Sequence, residues 1–204
     1  MKAVTYQKYG TPGDLTLSDI DIPVPKENEV LIKIQAASIN SWDWDLLRGK
    51  PVLARIDGLF KPKYQILGCD VAGVVKEVGS KVSLFKTGDE VFGDISACGW
   101  GGFAEYVCAD EKALTLKPES MTFEEAAAIP QAGVLAWQGL SSKGALNPGE
   151  KVLINGAGGG VGTFAIQIAK AFGAEITGVD SSEKLELVQS LGAGNVLDYA
   201  KIDY

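Results

Sequence analysis

One segment restricts the possible folds more than any other: Val152-Leu153-Ile154-Asn155-Gly156-Ala157-Gly158-Gly159-Gly160-Val161-Gly162. A short apolar run passes through a glycine loop into Phe164, Ala165, Ile168, Ala169 and Phe172, which recur at helical spacing. Glycines alone say little, since any tight strand-to-helix turn uses them for positive φ and close backbone approach. The surroundings add the rest. Gly173-Ala174 stops the helix, residues 175–180 read as a second strand, and Asp180 ends it 18 residues beyond Gly162.

That spacing suits an acid that holds the ribose of a dinucleotide. Gly159 would let the backbone approach a diphosphate, and Gly162 would let helix 161–172 pack close to the strand. The helix N-terminus would add partial positive charge. The expected phosphate loop comprises Ala157, Gly158, Gly159, Gly160, Val161 and Gly162. The competing reading is a glycine-rich turn that binds nothing.

The 204 residues, 46% apolar and 22% charged, suit one large or two small globular domains. A net charge of −7 with no basic run to offset it locally argues against nucleic acid and anionic membrane surfaces. No apolar run reaches the roughly 18–20 residues of a membrane span, and the first ten residues lack a signal-peptide core, so a cytoplasmic location is expected. Cys69, Cys98 and Cys108 are odd in number and form no CxxC pair, which favours reduced thiols. Histidine is absent. Ser-His and Cys-His nucleophilic catalysis is thereby excluded, along with the commonest zinc ligand, leaving chemistry to a cofactor or to other groups.

Along the first 110 or so residues, strands are expected at 2–6, 15–21, 29–38, 71–78, 90–94 and 103–109, punctuated by glycine and proline. A compact, partly open β-barrel is the simplest arrangement. Thr122-Phe123-Glu124-Glu125 is a capping box, Pro130 should break the helix it starts, and a second helix is expected over 132–142. The domain boundary is placed between 124 and 125. Ser181 or Ser182 can cap a helix carrying Leu185, Val188 and Leu191 that Gly192 ends, and 195–199 reads as a third strand. The fold class is thus mixed: a barrel domain over 1–124, then the first part of an α/β doubly wound domain over 125–204, truncated at its C-terminus.

Six segments in order, SINSWDWDLLRGK, ILGCDVAGVVKEVG, KTGDEVFG, GGFAEYV, EEAAAIPQAG and VLINGAGGGVGTFAIQIAKAFGAEITGV, resemble the zinc-free quinone reductase branch of the medium-chain dehydrogenase/reductases. The resemblance covers the whole chain. It implies a GroES-like domain followed by a Rossmann domain, and hydride transfer from a nicotinamide cofactor to a quinone, enone or related carbonyl compound. Zinc-dependent relatives place a cysteine, a histidine and a second cysteine where this chain has Asn40, Cys69 and Ala132. One thiol cannot satisfy tetrahedral zinc, so no metal is expected and Cys69 reads as a small packed residue.

In a metal-free reductase of this kind, Asn40 is the candidate catalytic donor, because a neutral amide can hydrogen-bond a carbonyl without changing protonation state. Its alternative is a loop-capping asparagine. Asp43 matches an acid that supports this loop, and Trp42 and Trp44 suit either a substrate wall or core packing. The nicotinamide choice stays divided. Asp180 favours NAD(H), whereas Ser181, Ser182, Lys184 and Tyr199 resemble residues that hold a 2′-phosphate, and the balance favours NADP(H) with NAD(H) possible. Lys184 also suits an exposed helix position. Two functions compete: an active reductase, and a dinucleotide-binding protein without turnover, since family members continue with further Rossmann strands. An exposed sheet edge would then favour homo-oligomerisation.

Overall fold

The computed structural model describes all residues except 57, 143, 145, 203 and 204. They form two compact units, Met1–Gln131 and Ala132–Tyr204.

In the first unit, β1 (Lys2–Thr5) and β2 (Thr16–Asp19) make an antiparallel ribbon. A five-stranded antiparallel sheet contains β3 (Glu29–Ser38), β4 (Asp70–Val78), β5 (Glu90–Asp94), β6 (Tyr106–Asp110) and β7 (Thr115–Leu116), in the order β6-β3-β4-β5-β7. Val30, Ile32, Val71, Val75 and Val91 line its core, as the β-branched runs of these strands require. The sheet is not closed into a true barrel, in keeping with the partly open arrangement expected. Its edge strands β6 and β7 do not pair with each other, and two-residue β7 offers too short a ladder to be joined. Isolated bridges Ala3↔Ala104 and Thr5↔Ile66 attach the ribbon instead.

One helix was absent from the periodicity reading. α1 (Ser41–Arg48) begins after Asn40 and ends at Gly49, whose φ of 59° makes a left-handed cap. Its buried face is Asp43, Leu46 and Leu47, an acid among the apolar residues, while Trp42 and Trp44 stand exposed outside it, so it lacks a clean 3.6-residue signature. α2 (Phe123–Ala127) starts at the expected capping box: the Thr122 hydroxyl accepts from Glu125 N–H at 3.1 Å, and a Glu125 carboxylate oxygen accepts from Thr122 N–H at 2.9 Å. Pro130 separates this helix from α3 (Pro130–Ser141) by occupying the first position of the latter, where its missing N–H costs nothing. Ala126 and Ala127 cluster with Ala72 of β4, so α2 belongs to the first unit. The division consequently falls after Gln131, later than the boundary expected at 124/125.

The second unit contains β8 (Lys151–Asn155), α4 (Gly160–Ala171), β9 (Glu175–Asp180), α5 (Leu185–Leu191) and β10 (Asn195–Asp198). Its three strands are parallel in the order β10-β9-β8, the arrangement expected of a doubly wound unit. Ile154, Ile166, Ile176 and Val188 meet in the core between sheet and helices. The register sets Asp180 beside Asp198, so two adjacent strands end in carboxylates at the same level.

Candidate functional site

The glycine loop of the second unit is shaped from within. Ala157 is fully buried, and the N–H groups of Gly156 and Ala157 both donate to the Val179 carbonyl at 3.0 Å. A side chain at Gly162 would begin 2.2 Å from the Gly156 carbonyl oxygen, a backbone obstacle that cannot swing aside. Only glycine lets α4 lie this close to the turn. Beyond the turn, Gly160 and Val161 open the helix at the surface. Among the described residues their N–H groups have no partner, as the first turn of a helix dictates. They and the helix dipole fit a diphosphate.

The residues predicted to choose the cofactor do come together. Asp180, 6% exposed, accepts from Gly158 N–H at 2.8 Å through one oxygen; the other accepts from Ser181 N–H at 2.8 Å and the Ser181 hydroxyl at 3.4 Å. Lys184 Nζ stands 3.6 Å from that second oxygen. Its stem covers Gly158, where a Cβ would begin 2.8 Å from two of its carbons. Burial acts to raise the Asp180 pKa, but the two N–H donors and Lys184 outweigh it and hold the carboxyl below its ordinary value. The expected ribose acid is therefore also a latch on the glycine loop. Tyr199 joins through its N–H, 3.4 Å from the Asp180 carbonyl, with its side chain largely exposed.

Three neighbours escaped the sequence reading as a group. The Ser182 hydroxyl donates to Asp198, and Lys201 Nζ lies 3.1 Å from both Asp198 and the Ser182 hydroxyl. Each strand-end carboxylate thus has its own lysine. Only the register of β9 and β10 reveals this pairing, since the residues are spread over positions 180–201.

In the first unit a second polar cluster forms where α1 meets the start of β4. Asp43 accepts from Asn40 N–H and Gly68 N–H, each at 2.8 Å, and so ties the helix start to the loop that delivers Cys69 and Asp70. Asn40 Nδ2 points into this cluster, 3.1 Å from Asp70 Oδ2, 3.3 Å from Cys69 Sγ and 3.4 Å from Ser38 Oγ. Gln131 also enters: its N–H donates to Asp70 at 3.0 Å and its Nε2 lies 3.4 Å from Cys69 Sγ. Gln131, the residue before Ala132, is thus a second amide partner of the thiol beside Asn40. Nothing in local periodicity marks Asp70 or Gln131 as members of this cluster.

The donor set does not fit catalytic zinc. Among the described residues, the cluster with metal-ligand potential is Cys69, Asp70 and Asp94, whose ligand atoms lie within 4.8 Å of one another. Two amide nitrogens direct hydrogens at the sulfur, however, where a cation would have to sit. Burial, then the charges of Asp70, Asp43 and Asp94, push the Cys69 thiol well above its ordinary pKa, so it is a neutral packed group. Trp42 borders a small cavity with Tyr6, Tyr9 and Trp100, of about 60 Å³, room for water but not for an aromatic ring system. Trp44 stacks under Arg48 at 4.8 Å.

Burial pushes Asp70 up to about 6; hydrogen bonds from Gln131 and Asn40 oppose the shift, and the charge of Asp94 reinforces it. The folded state therefore binds this proton more tightly than the unfolded chain, whose carboxyl titrates near 3.8. The Asp70 contribution to stability is greatest below that value and falls as pH rises to about 6, by about 3 kcal/mol. Urea unfolding between pH 4 and 7 should show this fall in the unaltered chain relative to Asp70→Asn. Parallel pH profiles for the two proteins would contradict the assignment.

Comparison with known proteins agrees with this geometry. The alcohol dehydrogenase GroES-like domain family matches residues 26–119, and the zinc-binding dehydrogenase family matches residues 160–204. The chain is 42% identical to a 2-methylene-furan-3-one reductase of Solanum lycopersicum, over 100% of its own length and 53% of that protein. A quinone oxidoreductase from Coxiella burnetii superposes with a TM-score of 0.90 at 34% identity, covering 100% of this chain and 63% of that one. An Escherichia coli quinone oxidoreductase complexed with NADPH gives 0.86 at 28% identity, with 100% and 60% coverage. The chain thus spans little more than half the length of the tomato relative. With two matched domains, full-length similarity on its own side and a cluster unsuited to zinc, it belongs to the zinc-free, quinone-oxidoreductase-like branch of the medium-chain alcohol dehydrogenase superfamily.

Proposed function

We propose that the protein of which this chain forms all or part reduces a quinone, enone or related carbonyl compound with NAD(P)H and without zinc. The observation that carries this reading is the unpartnered helix start at Gly160 and Val161, held open by the Asp180 latch, in a chain whose relatives include a furanone reductase and quinone oxidoreductases. The nicotinamide cofactor supplies the hydride. The chain's own part is binding and charge stabilisation. Gly160 and Val161 N–H groups hold the diphosphate, aided by a helix dipole contribution of roughly 0.3–1 kcal/mol.

Asn40 is the group assigned to the substrate carbonyl. One hydrogen of its Nδ2 goes to Asp70, while the other is shared between Cys69 Sγ and Ser38 Oγ. That second N–H has only neutral acceptors and can be given up to an oxygen gaining negative charge. A preorganised donor of this kind is worth roughly 3 kcal/mol. Mixing the protein with NADPH and a small quinone should consume the cofactor, and Asn40→Ala should slow turnover by about a hundredfold. Cofactor binding without turnover would instead support a dinucleotide-binding protein.

NADP(H) is the favoured cofactor. The charge that would repel a 2′-phosphate, on Asp180, is offset by two N–H groups and Lys184; Ser181 and Lys184 lie beside it, and Tyr199 is joined through its backbone. Lys184→Ala should weaken NADPH binding about tenfold in a fluorescence titration while leaving NADH binding nearly unchanged. Equal losses for both would tell against the assignment.

We also place the protein in the cytoplasm, on its three reduced thiols, and as a homo-oligomer. Leu153 on edge strand β8, and Leu135 and Trp137 on α3, are about half exposed, an apolar display that self-association would cover. Sedimentation should therefore give a mass above that of one chain; a monodisperse monomer at micromolar concentration would contradict this.

A further inference from the structure

Asp70 is fully buried at the first position of β4, and its two oxygens are treated differently. Oδ2 accepts from Asn40 Nδ2 at 3.1 Å and from Gln131 N–H at 3.0 Å, and so joins three segments distant in sequence. Oδ1 is buried without a partner among the described residues. Directly across the β4–β5 ladder stands Asp94, which accepts from Ser96 N–H. A buried carboxylate oxygen depends on its donors, so the two bonds to Oδ2 are costly to lose.

Oδ2 also governs which way the Asn40 amide faces. An amide can turn about its last bond to present either nitrogen or oxygen, and the two faces have opposite effects on a carbonyl oxygen. A carboxyl oxygen that accepts from Nδ2 selects one of them. Neither Ser38 nor Cys69 makes that selection, since a hydroxyl and a thiol can each donate as well as accept.

We propose that Asp70 is a positioning residue: through Oδ2 it fixes the Asn40 amide nitrogen side inward, directs the second N–H toward the substrate carbonyl, and uses the Gln131 N–H to hold its own orientation. The inference rests on the reading of Asn40 as the substrate-facing donor. The titratable groups facing Asp70 are Asp94 from β5 and the adjacent Cys69, with Asp43 of α1 acting on Cys69. Among the described residues no lysine or arginine forms an ion pair with Asp70. A neutral carboxamide therefore reproduces its role, with its oxygen toward Asn40 and Gln131 and its nitrogen toward Asp94.

The test uses ¹⁵N-labelled protein with the Asn40 side-chain amide assigned by its loss in Asn40→Ala. The two Asn40 hydrogens should be well separated in shift and slow to exchange in the unaltered chain and in Asp70→Asn, and should collapse toward solvent-exposed values in Asp70→Ala. Gln131→Ala, which keeps its backbone N–H on Asp70, should leave them in place. Should Asp70→Ala fail to fold, the unaltered chain still decides: the Asn40 ¹⁵N shift should follow Asp70 between pH 5 and 7 and become flat in Asp70→Asn. An Asn40 signal that is indifferent to Asp70 in these measurements overturns the proposal. In the reductase assay, Asp70→Ala should lower kcat about tenfold or more with the NADPH KM unchanged, and Asp70→Asn should restore it to within about threefold. If Asn40→Ala leaves turnover intact, the substrate reading fails, while the resonance data still show whether Asp70 fixes the amide.

Discussion

The second unit depends on one close approach between backbones, that of α4 to the turn at Gly156. With no side chain at Gly162 the helix begins almost in contact with the chain that precedes it, and its first N–H groups emerge at the end of the sheet. Everything proposed for the phosphate site follows from that placement. The turn is then secured by Val179 and Asp180, the last residues of the neighbouring strand, which accept the N–H groups of Gly156, Ala157 and Gly158. Parallel pairing of β8 with β9 is therefore as necessary to the loop as the glycines themselves.

The first unit solves a different problem, the placement of polar groups in a buried position. Asp43, Asn40, Asp70, Cys69 and Gln131 satisfy one another across the starts of α1, β4 and α3, with the single exception among them of Asp70 Oδ1. Such a network is stable only if nearly every member has a partner, which restricts substitution at each position more than packing would. The amide hydrogens that satisfy Cys69 also keep a cation away from it. Structural satisfaction and metal exclusion are one arrangement.

Much of this could be read from the chain beforehand, and the remainder could not for identifiable reasons. Strands 29–38 and 90–94, the capping box at Thr122, and the unit β8-α4-β9 follow from periodicity, caps and glycine placement, all local properties. The Rossmann loop and the Asp180, Ser181, Lys184 and Tyr199 group were visible because they lie close in sequence or at a familiar spacing. By contrast α1 is hidden by an acid, Asp43, on its buried face, and how far the sheet stays open depends on the pairing of non-local edge strands. Asp94 facing Asp70, and Asp198 beside Asp180, are facts of register. The Gln131 contact with Cys69 spans 62 positions, which no local pattern encodes.

The ion pair between Lys184 and Asp180 has a wider consequence. An ammonium already committed to an internal carboxylate is not a free receptor: any anion arriving there competes with a resident one of like charge. Discrimination at this position is then a small difference between two similar attractions rather than a large single gain. A chain built this way can exchange one ligand preference for another through a single substitution, with its strand order, its loop and its core left untouched.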